Sequence, residues 1–150
     1  KREQVMRVWT TCITLLLLAS CSSDNIPFSS GALDGELASP PANWSGVSEL
    51  SVIQLETRPA EPYSVKLWVV EMGGALYVHA GDNRAQWVEH IEADGRVRLG
   101  AQGKLYELSA FRVYDQEEFD AFIEPYEAKC GRRPGNEDIK EVYLFRLQAR

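Results

Sequence analysis

Histidine and cysteine are both scarce in this chain: 150 residues carry two of the first and three of the second. His79 and His90 have no paired spacing to Cys or carboxylate, so the convergent donors that a zinc ion needs are missing. No metal is expected. Positive charge is in short supply as well. Sixteen Lys and Arg stand against 22 Asp and Glu, for a net charge of −6. That is the wrong sign for a surface that meets nucleic-acid phosphates. No G-x-S-x-G elbow, P-loop or internal repeat is present. Glu117, Glu118 and Asp120 make an acidic, solvated face, and carboxylates this common do not define a hydrolase.

Long apolar runs are also lacking. The longest, Val8 to Leu18, is too short to cross a bilayer as a permanent helix. Arg7 precedes it and Leu18-Ala19-Ser20-Cys21 follows, the three parts of an export signal. Met6 opens that segment, so residues 1–5 read as upstream sequence in frame. Leu18 to Cys21 resembles the bacterial lipobox, whose cysteine is lipidated and becomes residue one. The resemblance implies a signal peptide over residues 1–20 and acyl chains (palmitate among them) on Cys21 that hold the protein to a membrane. A plain secretory signal with an incidental Cys is the alternative. Ser22 in place of Asp is similar to lipoproteins sent to the outer membrane of Gram-negative cells. The expected place is therefore the bacterial cell envelope, facing the periplasm, on the outer rather than the inner membrane. Cleavage would leave 13 basic and 21 acidic residues, with Cys130 as the one free thiol and no intramolecular disulfide. On the apolar stripe of a helix, Cys130 reads as a buried side chain.

Residues 21–43 form the lipidated Cys and a flexible tether, rich in Ser, Gly, Pro and Asp. The domain is placed at 44–150. Strands are expected over Leu50–Glu56, Tyr63–Met72, Ala75–Ala80, Arg96–Leu99, Lys104–Tyr114 and Ile139–Leu147. One helix follows Gly81-Asp82-Asn83, with Asp82 or Asn83 as its cap. His90 lies beside its solvated face and is expected to be exposed. A second helix starts at the capping-box run Asp115-Gln116-Glu117-Glu118 and ends at Gly131, with Pro125 kinking or interrupting it. The fold class is mainly β with α, in the order β-β-β-α-β-β-α-β.

Gly73-Gly74 is a two-residue hairpin loop. It sets Val70 opposite Tyr77, Val69 opposite Val78 and Trp68 opposite His79. One face then carries Leu67, Val69, Val78 and Ala80, an aliphatic set that belongs in a core. The other carries Lys66, Trp68, Val70, Tyr77 and His79, whose polar tips on aromatic bodies suit a ligand or subunit contact.

The stretches LWVVEMGGALYVHAG, WVEHIEADGRVRL, YEAKCG and YLFRL are similar to segments of the FMN-binding, pyridoxamine-phosphate-oxidase-like superfamily, which includes deazaflavin-dependent nitroreductases. The likeness spans roughly Leu50 to Leu147 and lies nearest a small uncharacterised branch. It implies a six-stranded antiparallel split β-barrel with two helices, assembled as a homodimer with a flavin at the interface. The cofactor would be FMN or a deazaflavin. The matching positions are Ser64 and Lys66 on the second strand, then His79, Gly81 and Arg84 around the turn, with Trp68, Tyr77 and Trp87 against the ring. Lys66 and Arg84 read equally as solvated charges, and the three aromatics equally as dimer-interface side chains. Asp82 puts negative charge where an anion would sit, and Thr57-Arg58-Pro59 stands where the reductases carry an Arg-Ser-Gly loop.

Two functions follow. The first is a lipid-anchored, flavin- or deazaflavin-dependent oxidoreductase in which the cofactor does the hydride chemistry and no catalytic side chain is required. The second is a non-catalytic envelope binding or interaction module on the same barrel. An exported chain must collect a loose cofactor outside the cytoplasm, which favours the second.

Overall fold

The computed structural model describes residues 31–150. The signal segment and Cys21 lie outside the described residues. Eight strands and three helices follow one another as β1 (Glu36–Ala38), α1 (Ser45–Ser48), β2 (Ile53–Thr57), β3 (Tyr63–Leu67), β4 (Val70–Met72), β5 (Ala75–Gly81), α2 (Gln86–Ala93), β6 (Arg96–Ala101), β7 (Lys104–Arg112), α3 (Gln116–Cys130) and β8 (Tyr143–Ala149). The six expected strands and two expected helices are all there. β1 and α1 are additional, and the long second strand is broken into β3 and β4.

The break has a physical cause. Strands are hydrogen-bonded in the order β3-β2-β6-β7-β8-β5-β4, so β3 and β4 are the two ends of the sheet. Trp68 and Val69 alone join them. The chain must leave its ladder with β2 after Leu67 and start a new one with β5 at Val70. A strand cannot keep pairing while it crosses that seam, and the covalent link draws the edges of the curled sheet together. The result is a split half-barrel of mainly antiparallel strands.

The Gly73-Gly74 register is as expected where the ladder exists: Val70 pairs Tyr77, Glu71 pairs Leu76 and Met72 pairs Ala75. Gly73 and Gly74 have φ of 60° and 81°, the left-handed region that a tight hairpin of this twist requires. The pairings of Val69 and Trp68 are not formed, because both residues sit in the seam.

Alternation of side chains then sorts the barrel. Ile53, Leu55, Val69, Leu76, Val78, Leu99, Leu108, Phe145 and Leu147 point inward and fill the interior, with Trp44 of the chain before α1 and Trp87, Val88 and Ile91 of α2 as its lids. α3 covers the outside of β4, β5 and β8. There Val70, Tyr77 and Leu144 meet Phe119, Phe122 and Ile123. Asp115 caps α3 by accepting from the Glu117 N–H at 2.8 Å, and Gly131 ends it with φ 72°. Glu118 does not close the capping box, since its carboxylate takes the Tyr77 hydroxyl and Arg146, each at 2.8 Å. The expected interruption at Pro125 is corrected: the helix runs through it to Cys130.

The described part of the expected tether includes a short strand. Leu33 lies against the outer side of β2 and β6, and residues 36–38 join the sheet as β1. β1 pairs β7 in parallel, Glu36 against Lys104, and the Leu33 N–H donates to the buried Glu56 carboxylate at 2.6 Å.

Candidate functional site

The outward face of β2 and β3 is fixed by register. Gln54 lies opposite Lys66, and Glu56 opposite Ser64. The ladder ends at the Ile53–Leu67 pair, and Val52 and Trp68 flank it just beyond the strand ends. Lys66 is exposed, Trp68 is 45% exposed and Val52 43%. Large apolar groups held in water beside a cation are the features of a contact surface rather than of a core. Ser64, one step along, is only 1% exposed, as is its neighbour Glu56 at 3%. Arg98 of β6 faces the Glu56 carboxylate at 3.5 Å and Glu107 at 3.6 Å, which spreads the charge along the row.

The turn after β5 lies apart from that row in sequence and carries Gly81 at φ 62°. A Cβ added there would meet only the His79 ring edge at 4.0 Å, so the backbone is open to approach. Arg84 is engaged by Glu92 at 3.1 Å and by Glu89 at 3.8 Å. Glu92 also holds Arg112 at 3.2 Å, whose guanidinium lies 4.1 Å over the Tyr143 ring. The expected cap is corrected here as well: α2 starts from Ala85 with no side-chain cap, and neither Asp82 nor Asn83 serves.

The aromatic face expected to meet a ligand is divided by the seam. Lys66 and Trp68 stay outside, but Val70, Tyr77 and His79 fall under α3. His79 packs against Phe119, Phe122 and Tyr126 with ring centroids 5.9, 5.6 and 5.4 Å away. Its Nε2 is buried without a hydrogen-bond partner among the described residues. Burial drives its pKa down to about 4, so the ring is neutral. Trp87 is 4% exposed and stands edge-on to Phe145 inside the barrel, 5.8 Å away. Of the seven expected site residues, Lys66, Trp68 and Arg84 are exposed, His79 and Gly81 are half-buried, and Ser64 and Trp87 are buried.

His90 was expected in water and is 8% exposed. The Thr57 hydroxyl donates to the Tyr63 carbonyl at 3.2 Å, so its lone pair must accept the His90 Nδ1–H at 2.9 Å. That leaves Nε2 as an acceptor facing the Arg58 guanidinium at 3.4 Å. Burial first, then the Arg58 charge, lowers the His90 pKa. The cluster is a brace between α2 and the β2–β3 hairpin. Sequence spacing alone could not reveal it, because Thr57 and His90 are 33 residues apart. Thr57→Val leaves two buried polar groups unpaired and should cost about 1–3 kcal/mol in a denaturant titration. An unchanged midpoint would show that the brace carries no stability.

Cys130 is free and half-buried, and burial pushes its thiol up, away from nucleophile chemistry. No group of three His, Cys, Asp or Glu among the described residues is placed to hold a metal. No described helix is long and apolar enough to cross a membrane.

No family model and no curated protein matches the chain. Solved structures do. A proposed 5-nitroimidazole antibiotic resistance protein from Bacteroides thetaiotaomicron is similar over 67% of this chain and 74% of its own, with 11% identity and TM-score 0.54. An FAD-binding protein from Mesorhizobium loti matches over 69% and 84%, with 17% identity and TM-score 0.50. A proposed pyridoxamine 5′-phosphate oxidase from Listeria innocua matches over 68% and 86%, with 15% identity and TM-score 0.50. At these identities the likeness defines the fold alone, a split β-barrel.

Proposed function

We propose that this protein is a lipid-anchored, homodimeric envelope protein whose split barrel binds a flavin on the outward face of β2 and β3. The observation that carries the reading is exposed Lys66 near the end of β3, with the half-exposed Trp68 just past that end. The fit to a flavin is uneven. Trp68 suits the flat face of the ring, Lys66 suits an anionic tail, and Gly81 leaves its backbone open. Trp87 does not fit, being buried in the barrel, His79 is half-buried against α3, and Arg84 is already met by two carboxylates. FMN is the first cofactor to test and a deazaflavin the second. Such a cofactor supplies hydride transfer, and the chain supplies position and charge. Exposed Val52 and Trp68 on that face are also what a second copy would cover. Acyl chains on Cys21 would hold the assembly to the outer membrane, facing the periplasm.

The engagement of Arg84 favours one second reading, an envelope binding module without catalysis. FMN titrated into the full chain, followed by flavin fluorescence, separates the two. The flavin reading expects micromolar binding that weakens at least about tenfold in Lys66→Glu, or about 1.4 kcal/mol. No binding at 1 mM scale concentrations (about 4 kcal/mol of affinity) would leave the module.

A further inference from the structure

We infer that residues 31–33 are a latched strap over the Ser64 end of the ligand face, with Glu56 as the latch, so that strap docking and ligand binding at Ser64 exclude one another. What the cover guards rests on the flavin reading above; that it covers Ser64 does not. Ser64 points outward from an edge strand, yet it is 1% exposed. Its cross-strand partner Glu56 accepts the Leu33 N–H at 2.6 Å. A Cβ on Gly31 would lie 4.0 Å from the carbonyl of Pro62, two residues before Ser64. The strap therefore runs close to the row that holds the buried serine.

Its other holds are slight. A Leu33 methyl sits 3.0 Å from where a Cβ of Gly100 would be, a site only glycine leaves open without displacement. Three residues of β1 pair with β7, and Leu37 is 63% exposed. With the Glu36 N–H bond to the Gly103 carbonyl at 2.9 Å and Ala38 packed on the core, these holds still make an attachment weaker than the barrel beneath it. Because the same surface cannot hold strap and ligand at once, each must weaken the other by the same factor.

The test uses the full chain carrying Ser64→Cys, with and without Leu33→Asp, which sets a second carboxylate against Glu56. Alkylation at position 64, located by peptide mass spectrometry, is expected to be at least about tenfold faster with Leu33→Asp, while exchange of the β6 and β7 amides stays slow. Leu33→Ser, without added charge, serves if the aspartate variant loses that protection. Equal labelling rates overturn the cover, whatever FMN does. Faster labelling with FMN binding neither form supports the cover and removes the flavin reading. Faster labelling with equal FMN affinity in Leu33 and Asp-substituted chains overturns the mutual exclusion. Support for both is faster labelling together with tighter FMN binding in the variant.

Discussion

Phe122→Ala is expected to cost about 3–5 kcal/mol, as large-to-small changes at closed aromatic core sites do. Phe122 is fully buried and its ring meets those of Phe119, Tyr126, His79 and Tyr77 at 6.0, 5.3, 5.6 and 6.1 Å. The denaturant midpoint measures the cost. A loss below about 1 kcal/mol would mean that α3 rides loosely on the sheet. In that case the face holding Tyr77 and His79 would be open to ligands after all.

The second large effect is acid lability centred on His79. In the unfolded chain the ring takes a proton near the ordinary histidine value of 6.5, whereas in the fold it does so only near 4. A depressed native pKa means that its contribution is intact above about pH 6.5 and is lost as pH falls toward 4. A shift of this size corresponds to about 3 kcal/mol over that window. Other groups titrate there as well, so the comparison is with His79→Phe, which fits among the same rings and removes the unpartnered nitrogen. The variant is expected to be more stable at pH 4 by about 3 kcal/mol relative to its difference at pH 7. Parallel stability curves across that range would show that His79 is protonated or solvated in the native state.

Much of the fold was legible because local signals agreed with each other. Gly73-Gly74 fixed a hairpin register that holds wherever the ladder exists, Asp115 and Gly131 bracket α3, and the alternation of Leu67, Val69 and Val78 marks the interior. The site was legible only in part. Periodicity assigned Trp68 and His79 to one face, but the chain crosses from one sheet edge to the other at Trp68-Val69, and no local residue pattern announces that crossing. Helix α3 then claims His79 from 40 or more residues away in sequence, which is tertiary packing overriding a surface reading. His90 was missed for a similar reason: its partners Thr57 and Arg58 lie across a whole hairpin. The strap gave no signal because Gly31, Asp34 and Gly35 read as loop, and its hold comes from Glu56 rather than from its own composition.

We propose that the outward face of β2 and β3, not the face beneath α3, receives the ligand. Indole N–H resonances of Trp44, Trp68 and Trp87 report on it directly, with Trp68→Phe assigning the key signal. Addition of FMN should move the Trp68 resonance and leave those of the buried Trp44 and Trp87 in place. A stationary Trp68 signal, or movement of Trp87 instead, would contradict the account.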